Sequence, residues 1–299
     1  MRIALVTSHG FPEPHWHDAD TPLVARELTA RGATADVVTW DGGRRVEWAG
    51  YDAVVLQSPW SMWTRLPQFD EWLWSRELDG TRLLNPIDAV ALGSNKRYLL
   101  HLGTAGIPIV PTTLVDGDPD PMVLRDLFPP PETPRPTVVA KPIAGGGTLG
   151  AREFRVDQLG ALATYVRELG TAIVQPYVSA IDTHRELAVL TLDGAISHAV
   201  TKAAILRPGE ATRPFHPDPR PYAGFTAQQE RVIRQTYAEL RRLLTNEPLS
   251  VRLDFIVDPA SPSGLLLLEV EMVAPVKFFP LFPQECGHYA EAILARAAI

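Results

Sequence analysis

Two short β-type runs near the end of the chain, residues 251–257 and 265–271, carry one arginine and three carboxylates at alternating positions. Side chains on a strand alternate faces, so Arg252 and Asp254 share one face of the first run, and Glu269 and Glu271 share one face of the second. Asp258, Pro259, Pro262 and Gly264 lie between the runs and are turn formers, which makes the pair a hairpin. With Val257 paired to Leu266, antiparallel counting sets Asp254 opposite Glu269 and Arg252 opposite Glu271. Like charges gathered this closely repel, and hard oxygen donors of this kind suit Mg²⁺ holding phosphates. The plainer alternative is a solvated face with one Arg–Glu pair.

Phosphate-binding chemistry recurs upstream. Residues 137–142, TVVAKP, read as a strand that ends at Lys141 and runs into Gly145, Gly146, Gly147, Thr148, Leu149 and Gly150. Glycines let backbone N–H groups turn toward a phosphate, and a lysine beside them adds a point charge. The glycines also satisfy G-x-G-x-x-G, the basis of a nicotinamide-dependent dehydrogenase reading. That fingerprint needs a helix after the loop, whereas residues 151–156, AREFRV, alternate like a strand. A P-loop fails too, because Ala151 and Arg152 stand where Lys and Ser/Thr should be. Strand, glycine loop and strand make a hairpin lid.

Residues 173–178, IVQPYV, read as a strand leading to a connector that offers backbone groups to a flat base, with the Gln175 amide beside them; alone, an ordinary strand explains them as well. Residues 185–192 and 195–202 alternate about Asp193-Gly194, a hairpin turn signal, and end at a further lysine, Lys202.

Other elements must position these groups. Residues 3–7, 35–40, 53–57 and 83–85 are short apolar strands, and a helix capped by Thr21, with Pro22 at its first position, ends before Gly32. Strands alternating with helices predict an open α/β sheet with ligands beyond the strand carboxyl ends. Two loops then stand out, residues 8–20 with His9, His15 and His17, and residues 57–65 with Ser58, Trp60 and Trp63. His15, His17, Asp18 and Asp20 match no metal-ligand spacing and read as polar loop residues or substrate contacts. A helix over 87–101 carries Lys96. The Pro- and Asp-rich stretch to residue 136 reads as a mobile surface connection. Helices over 226–244 and 283–299 flank the acidic hairpin.

The chain has 299 residues, 45% of them hydrophobic, enough for about two domains. A net charge of −7 with scattered Lys and Arg argues against a nucleic-acid partner. The single cysteine, Cys286, allows no intrachain disulfide and suits a reducing cytoplasm. The apolar run 3–6 is too short for a signal segment or a membrane span. A soluble cytoplasmic protein is expected.

Taken in order, these parts resemble the ATP-grasp superfamily over nearly the whole chain. The resemblance implies an α/β fold in three modules: residues 1–105 on the substrate side, 106–178 as the lid, and 179–299 with the metal-binding hairpin. It makes Lys96 and Lys141 nucleotide-phosphate lysines, and Gly145, Gly146, Gly147 and Thr148 the loop closing over the phosphates. Gln175, in place of a more usual Glu, would hold adenine with Tyr177 and Val178, and Asp182 would take the ribose hydroxyls. Lys202 would reach the terminal phosphates. Arg252, Asp254, Glu269 and Glu271 match R-x-D and E-x-N/E, with Glu271 where Asn is common. The implied cofactors are ATP and Mg²⁺, with Mn²⁺ able to substitute, and the implied assembly is a homodimer.

The implied chemistry is phosphorylation of a carboxylate on a small amino-acid-like substrate, then attack of a nitrogen on the acyl phosphate. Arg252 would face the transferring phosphoryl group and Arg185 the substrate carboxylate. The loops SHGFPEPHWHDAD and QSPWSMW are similar to those of a cyclising branch, in which both ends belong to one molecule. His9, Ser58 and Trp60 are candidates for the substrate; Lys277 reads as either a substrate contact or a surface lysine. A ligase joining two molecules and a non-catalytic nucleotide-binding module are the alternatives.

Overall fold

The computed structural model describes residues 1–43, 46–206 and 217–299. Its first module contains β1 (Arg2–Thr7), α1 (Thr21–Ala30), β2 (Thr34–Thr39), β3 (Ala53–Ser58), α2 (Leu66–Leu78), β4 (Leu83–Leu84), α3 (Ile87–Gly93) and α4 (Tyr98–Thr104). The strands form a parallel sheet in the order β2-β1-β3-β4. β3 is buried along its whole length, as a strand covered on both faces must be. Val24 and Leu28 of α1 cover one face; Trp40, Trp60 and Phe69 cover the other.

Two expectations need correction here. Thr21 is the first helical residue of α1 and not its cap; the Asp18 side chain accepts from the N–H groups of Asp20 and Thr21, at 3.0 and 2.9 Å. The single helix over 87–101 is two helices, because Gly93, Ser94 and Asn95 are poor helix formers. Lys96 sits in the break, and its N–H donates to Ile143 O at 2.9 Å in the glycine segment.

The second module contains β5 (Thr113–Asp116), α5 (Pro121–Leu124), β6 (Thr137–Pro142), β7 (Arg152–Arg155), α6 (Leu159–Leu169) and β8 (Thr171–Pro176). Its antiparallel order is β5-β8-β6-β7. The stretch expected to be a mobile connection instead contributes structure: β5 pairs with β8, and α5, capped by Asp120, buries Leu124 in the same core as Val138 and Leu162. Because β7 returns along β6, no helix follows the glycine loop, and the dinucleotide fingerprint lacks its required context.

The third module contains α7 (Ala180–His184), β9 (Glu186–Leu192), β10 (Ala195–Lys202), β11 (Arg220–Tyr222), α8 (Ala227–Arg242), β12 (Ser250–Val257), β13 (Leu265–Glu271) and α9 (Pro283–Ala297). The antiparallel order is β11-β10-β9-β12-β13. Asp193 and Gly194 both take positive φ, as the β9–β10 turn requires. Apolar residues of α8 and α4 pack on one face of this sheet. α9 packs Tyr289, Ala290 and Ile293 in the core shared with α1 of the first module, while Glu285 and Arg296 bond back to Ser197 and Asp193 of the third. Among the described residues no helix is long and apolar enough to cross a membrane.

Candidate active site

The acidic hairpin carries a bulge. Val257 pairs with Leu265, Ile256 with Leu266 and Phe255 with Leu267, but Asp254 pairs with Glu269 and Arg252 with Glu271. The turn register expected from Val257 opposite Leu266 is therefore one residue off, and Leu268, opposite no residue, restores it at the charged end. The bulge also changes phase. Leu265 and Leu267 point into the core under α8, while Leu266 and Leu268 face the other side. With one extra residue, Glu269 and Glu271 share the side of Leu268, and Val270 returns to the core. The α4 residue Tyr98 fixes this segment, donating to Val270 O at 3.0 Å and accepting from Val270 N at 2.9 Å.

That side opens into a cleft between the second and third modules. It brings together Lys96, Lys141, Gly145, Gly146, Gly147, Thr148, Gln175, Tyr177, Val178, Lys202, Arg252, Asp254, Glu269 and Glu271 from six stretches of chain. It also includes Glu186, which the sequence reading missed. Counting out from the Asp193-Gly194 turn pairs Lys202 with Arg185, but a register shift between Ile196 and His198 pairs it with Glu186.

Opposite charges alternate along the cleft. Arg252 holds Asp254 through two bonds of 2.8 Å, Nε to Oδ1 and Nη2 to Oδ2. Lys202 Nζ lies 2.6 Å from Glu186 Oε1 and 3.3 Å from Asp254 Oδ2. Lys96 Nζ lies 3.0 Å from Glu269 Oε1 and donates to Gly145 O. Burial alone would raise the Asp254 pKa, but Arg252 and Lys202 hold it down at about 2. Burial pushes Glu271 up to about 7, with Glu269 adding to the rise. Burial pushes Lys141 down to about 8, against the pull of Glu269. Four cations thus face four carboxylates, so the cleft accepts a polyanion most readily when further cations accompany it.

The donor set bears on a metal. Among the described residues no three metal-ligating side chains form a ready-made cage. Asp254 and Glu269 are paired with cations, whereas Glu271 has no such partner among the described residues. Two neighbouring carboxylates, one raised to about 7 chiefly by burial and further by its neighbour, nevertheless fit Mg²⁺, which takes one or two carboxylates and completes its shell with phosphate oxygens and water.

Above the charges lies the glycine loop. Gly145, Gly147 and Gly150 take positive φ, and Thr148, a β-branched residue, also sits at φ 65°, a conformation maintained only where surrounding structure imposes it. At the other end of the cleft, Gln175 Nε2 donates to Thr112 Oγ1 at 2.8 Å. Tyr177 OH donates to Asp182 Oδ1 at 2.6 Å, which places Asp182 behind Tyr177 and off the cleft wall.

Other candidates lie elsewhere. Arg185, at φ 72°, turns its guanidinium to Asp218 and to Thr201 O. His9 borders a separate surface groove with Arg2, Asp36 and Tyr51. Trp60 is buried in the aromatic core, its indole donating to Ala274 O at 3.1 Å. Ser58 is buried between Thr7 and Asp18. Lys277 is 2% exposed and so not a surface lysine; its Nζ donates to Gln57 Oε1 and Pro275 O at 3.2 and 3.1 Å. Of the loop residues that could suggest a metal, Asp20 instead accepts the backbone N–H groups of Lys277 and Phe279.

Residues 3–85 match the family model of the D-cycloserine synthetase DcsG N-terminal domain. Cycloserine biosynthesis protein DcsG of Streptomyces lavendulae is 33% identical over 196 residues, a match that spans 64% of this chain and 64% of that protein. The crystal structure of D-cycloserine synthetase DcsG superimposes with a TM-score of 0.87 at 27% identity, over 99% of this chain and 100% of that one. The ATP-grasp ligase PsnB shares the fold with a TM-score of 0.64 at 20% identity, over 98% of each chain. The architecture is the ATP-grasp fold.

Proposed function

We propose that this chain, an ATP-grasp protein related to D-cycloserine synthetase, is an ATP-dependent carbon–nitrogen ligase that cyclises O-ureido-D-serine to D-cycloserine. The observation that carries the ligase half is the cleft itself, where three lysines and an arginine face carboxylates under a glycine hairpin. There is no activated nucleophile in this inventory; it suits phosphoryl transfer, which needs positioning and charge neutralisation. The cyclisation half rests on the likeness to DcsG, whose N-terminal domain model covers residues 3–85.

In this reading Lys141 and the backbone of residues 145–148 hold the phosphates, with Lys96 fixing the loop through Gly145 O. Gln175, Tyr177 and Val178 hold the base. Glu269 and Glu271, with Asp254 behind them, would hold Mg²⁺, which supplies charge neutralisation to the phosphates; a crystallised fold neighbour, PsnB, carries Mg and ADP. Lys202 and Arg252 face the γ-phosphoryl group as it passes to the substrate carboxylate. The ureido nitrogen attached to oxygen then attacks the acyl phosphate and expels phosphate. Water removes the carbamoyl group as CO₂ and ammonia, so ATP and one water yield ADP and phosphate. Attack within one molecule replaces an encounter by an orientation, worth up to ~10⁵ M or more in effective concentration.

The test is incubation with Mg²⁺, ATP and O-ureido-D-serine, with the L-isomer and D-alanine in parallel, following ADP and product mass. Cycloserine appearing in step with ADP from the D-isomer alone is the expected result. ADP formed with D-alanine would instead make the protein a ligase of two molecules.

A further inference from the structure

The four glycines of the lid are not there for one reason. Gly145, Gly147 and Gly150 have φ of 155°, 61° and 71°, where the backbone itself favours glycine; Gly146 has no such φ. Its constraint is steric. A Cβ at Gly146 would lie 2.6 Å from Trp63 Nε1, 2.8 Å from Cε2 and 3.0 Å from Cζ2. Gly146 is the buried residue of its loop, and the indole of a different module covers it.

Trp63 lies on the single turn Trp60–Thr64 that follows β3, at the carboxyl end of the first sheet, where an open α/β sheet presents its ligand side. Leu149, from the same lid loop, packs with Trp63 and Val276 against the aromatic core. Val276 O in turn accepts from Arg252 Nη1 at 3.3 Å. The lid and the substrate-side turn therefore meet at one indole, and the segment that touches Arg252 borders the same aromatic core.

We propose that Trp63 is the positioning residue that couples the nucleotide lid to the substrate-side module: its indole is the seat for Gly146, and the lid reaches its closed place over the phosphates only with the 60–64 turn in position. This rests on the ATP-ligase reading above. Glycine permits the flat approach of backbone to ring, and any side chain there lifts the loop off its seat. Because the two parts share one contact, nucleotide and substrate favour each other's binding.

Steady-state ADP formation in Gly146→Ala, Trp63→Leu and the double variant tests the seat directly. Gly146→Ala should raise KM for ATP about tenfold, the consequence of one overpacked contact. Trp63→Leu should raise it less, and the double variant should be no worse than Trp63→Leu, since the clash is gone. Additive losses in the double variant would overturn the seat. Independently of whether Gly146→Ala folds, the non-hydrolysable analogue AMPPNP should change the tryptophan fluorescence of the wild type and not of Trp63→Phe. An equal change in both would overturn it as well. Calorimetry separates the two readings: a wild type that binds no AMPPNP removes the nucleotide site and the coupling together, whereas binding with additive losses removes the coupling alone.

Discussion

Glu269 accepts from Lys96 at 3.0 Å and faces the same cleft as Glu271, so its charge both orders a lysine and offers an oxygen to a cation. Glu269→Gln keeps the shape and removes the charge. Turnover should fall on the order of 10²- to 10³-fold while ATP still binds weakly, as judged by ADP release and calorimetry; wild-type rates would remove Glu269 from the metal site. Lys141 gives a pH dependence. Its folded pKa, lowered by burial to about 8, lies below the ordinary lysine value of 10.5. Between about 8 and 10.5 the unfolded chain therefore binds more protons, so this group's unfavourable contribution to stability is full below 8 and fades as pH rises. Nucleotide binding has the opposite preference, since only the ammonium attracts phosphate. KM for ATP should climb above about pH 8, and Lys141→Arg, charged throughout, should flatten that climb; identical profiles would sink the assignment. Single residues were legible where a run ends in a lysine or a carboxylate alternates. Glu186 was not, because a bulge near the start of β10 decides which residue faces Lys202.

The same device acts at the level of the element. Leu268 is the extra residue that moves Glu269 and Glu271 from the core side of β13 to the cleft side. Strand period is 2, so without the bulge the seven residues of β13 would point Glu269 and Glu271 into the core. Deleting Leu268 removes the odd residue: Glu269 then follows Leu267 directly, still on the cleft side and opposite Asp254, and Val270 stays in the core. We expect this variant to retain ADP formation, as should Leu268→Ala, which keeps the count. Loss of ADP formation in the deletion variant at an unchanged thermal midpoint would mean that the bulge does more than set the phase. A hairpin was readable from two alternating runs and a turn, since both signals are local. Its bulge was not, because nothing in LLLLEVE distinguishes four leucines that differ only in the face each occupies. The broken helix around Lys96 was written in Gly93, Ser94 and Asn95, but a helix pattern on both sides concealed it.

Across the whole molecule, the first and third modules are tied by groups far apart in sequence, and the second packs its sheet and its glycine loop on them. Asn85, at the end of β4, donates through Nδ2 to Ser250 O and Met272 O, each at 2.7 Å, and accepts from Ser250 N at 3.0 Å. Asp20 and α9 add further ties across the same junction. The lid module meets the rest at Lys96 and Gly146, and also along its sheet, where Leu114 and Ile173 join the core under α8 and Val139 packs beside Ile256. Local strand and turn signals were legible in the order of the chain, but they could not reveal that the last helix returns to the first, since α9 carries the apolar pattern of any surface helix. The division implies separable responses. Asn85→Ala leaves three buried backbone groups without their partners, at a cost of about 2–4 kcal/mol. The urea midpoint should fall accordingly, while nucleotide-induced protection of lid amides in hydrogen exchange should persist at saturating ATP, because that contact set does not pass through Asn85. If the variant instead lost lid protection with little change in midpoint, Asn85 would belong to the closing machinery, and the joint between the first and third modules would have to be treated as the hinge and not as the frame.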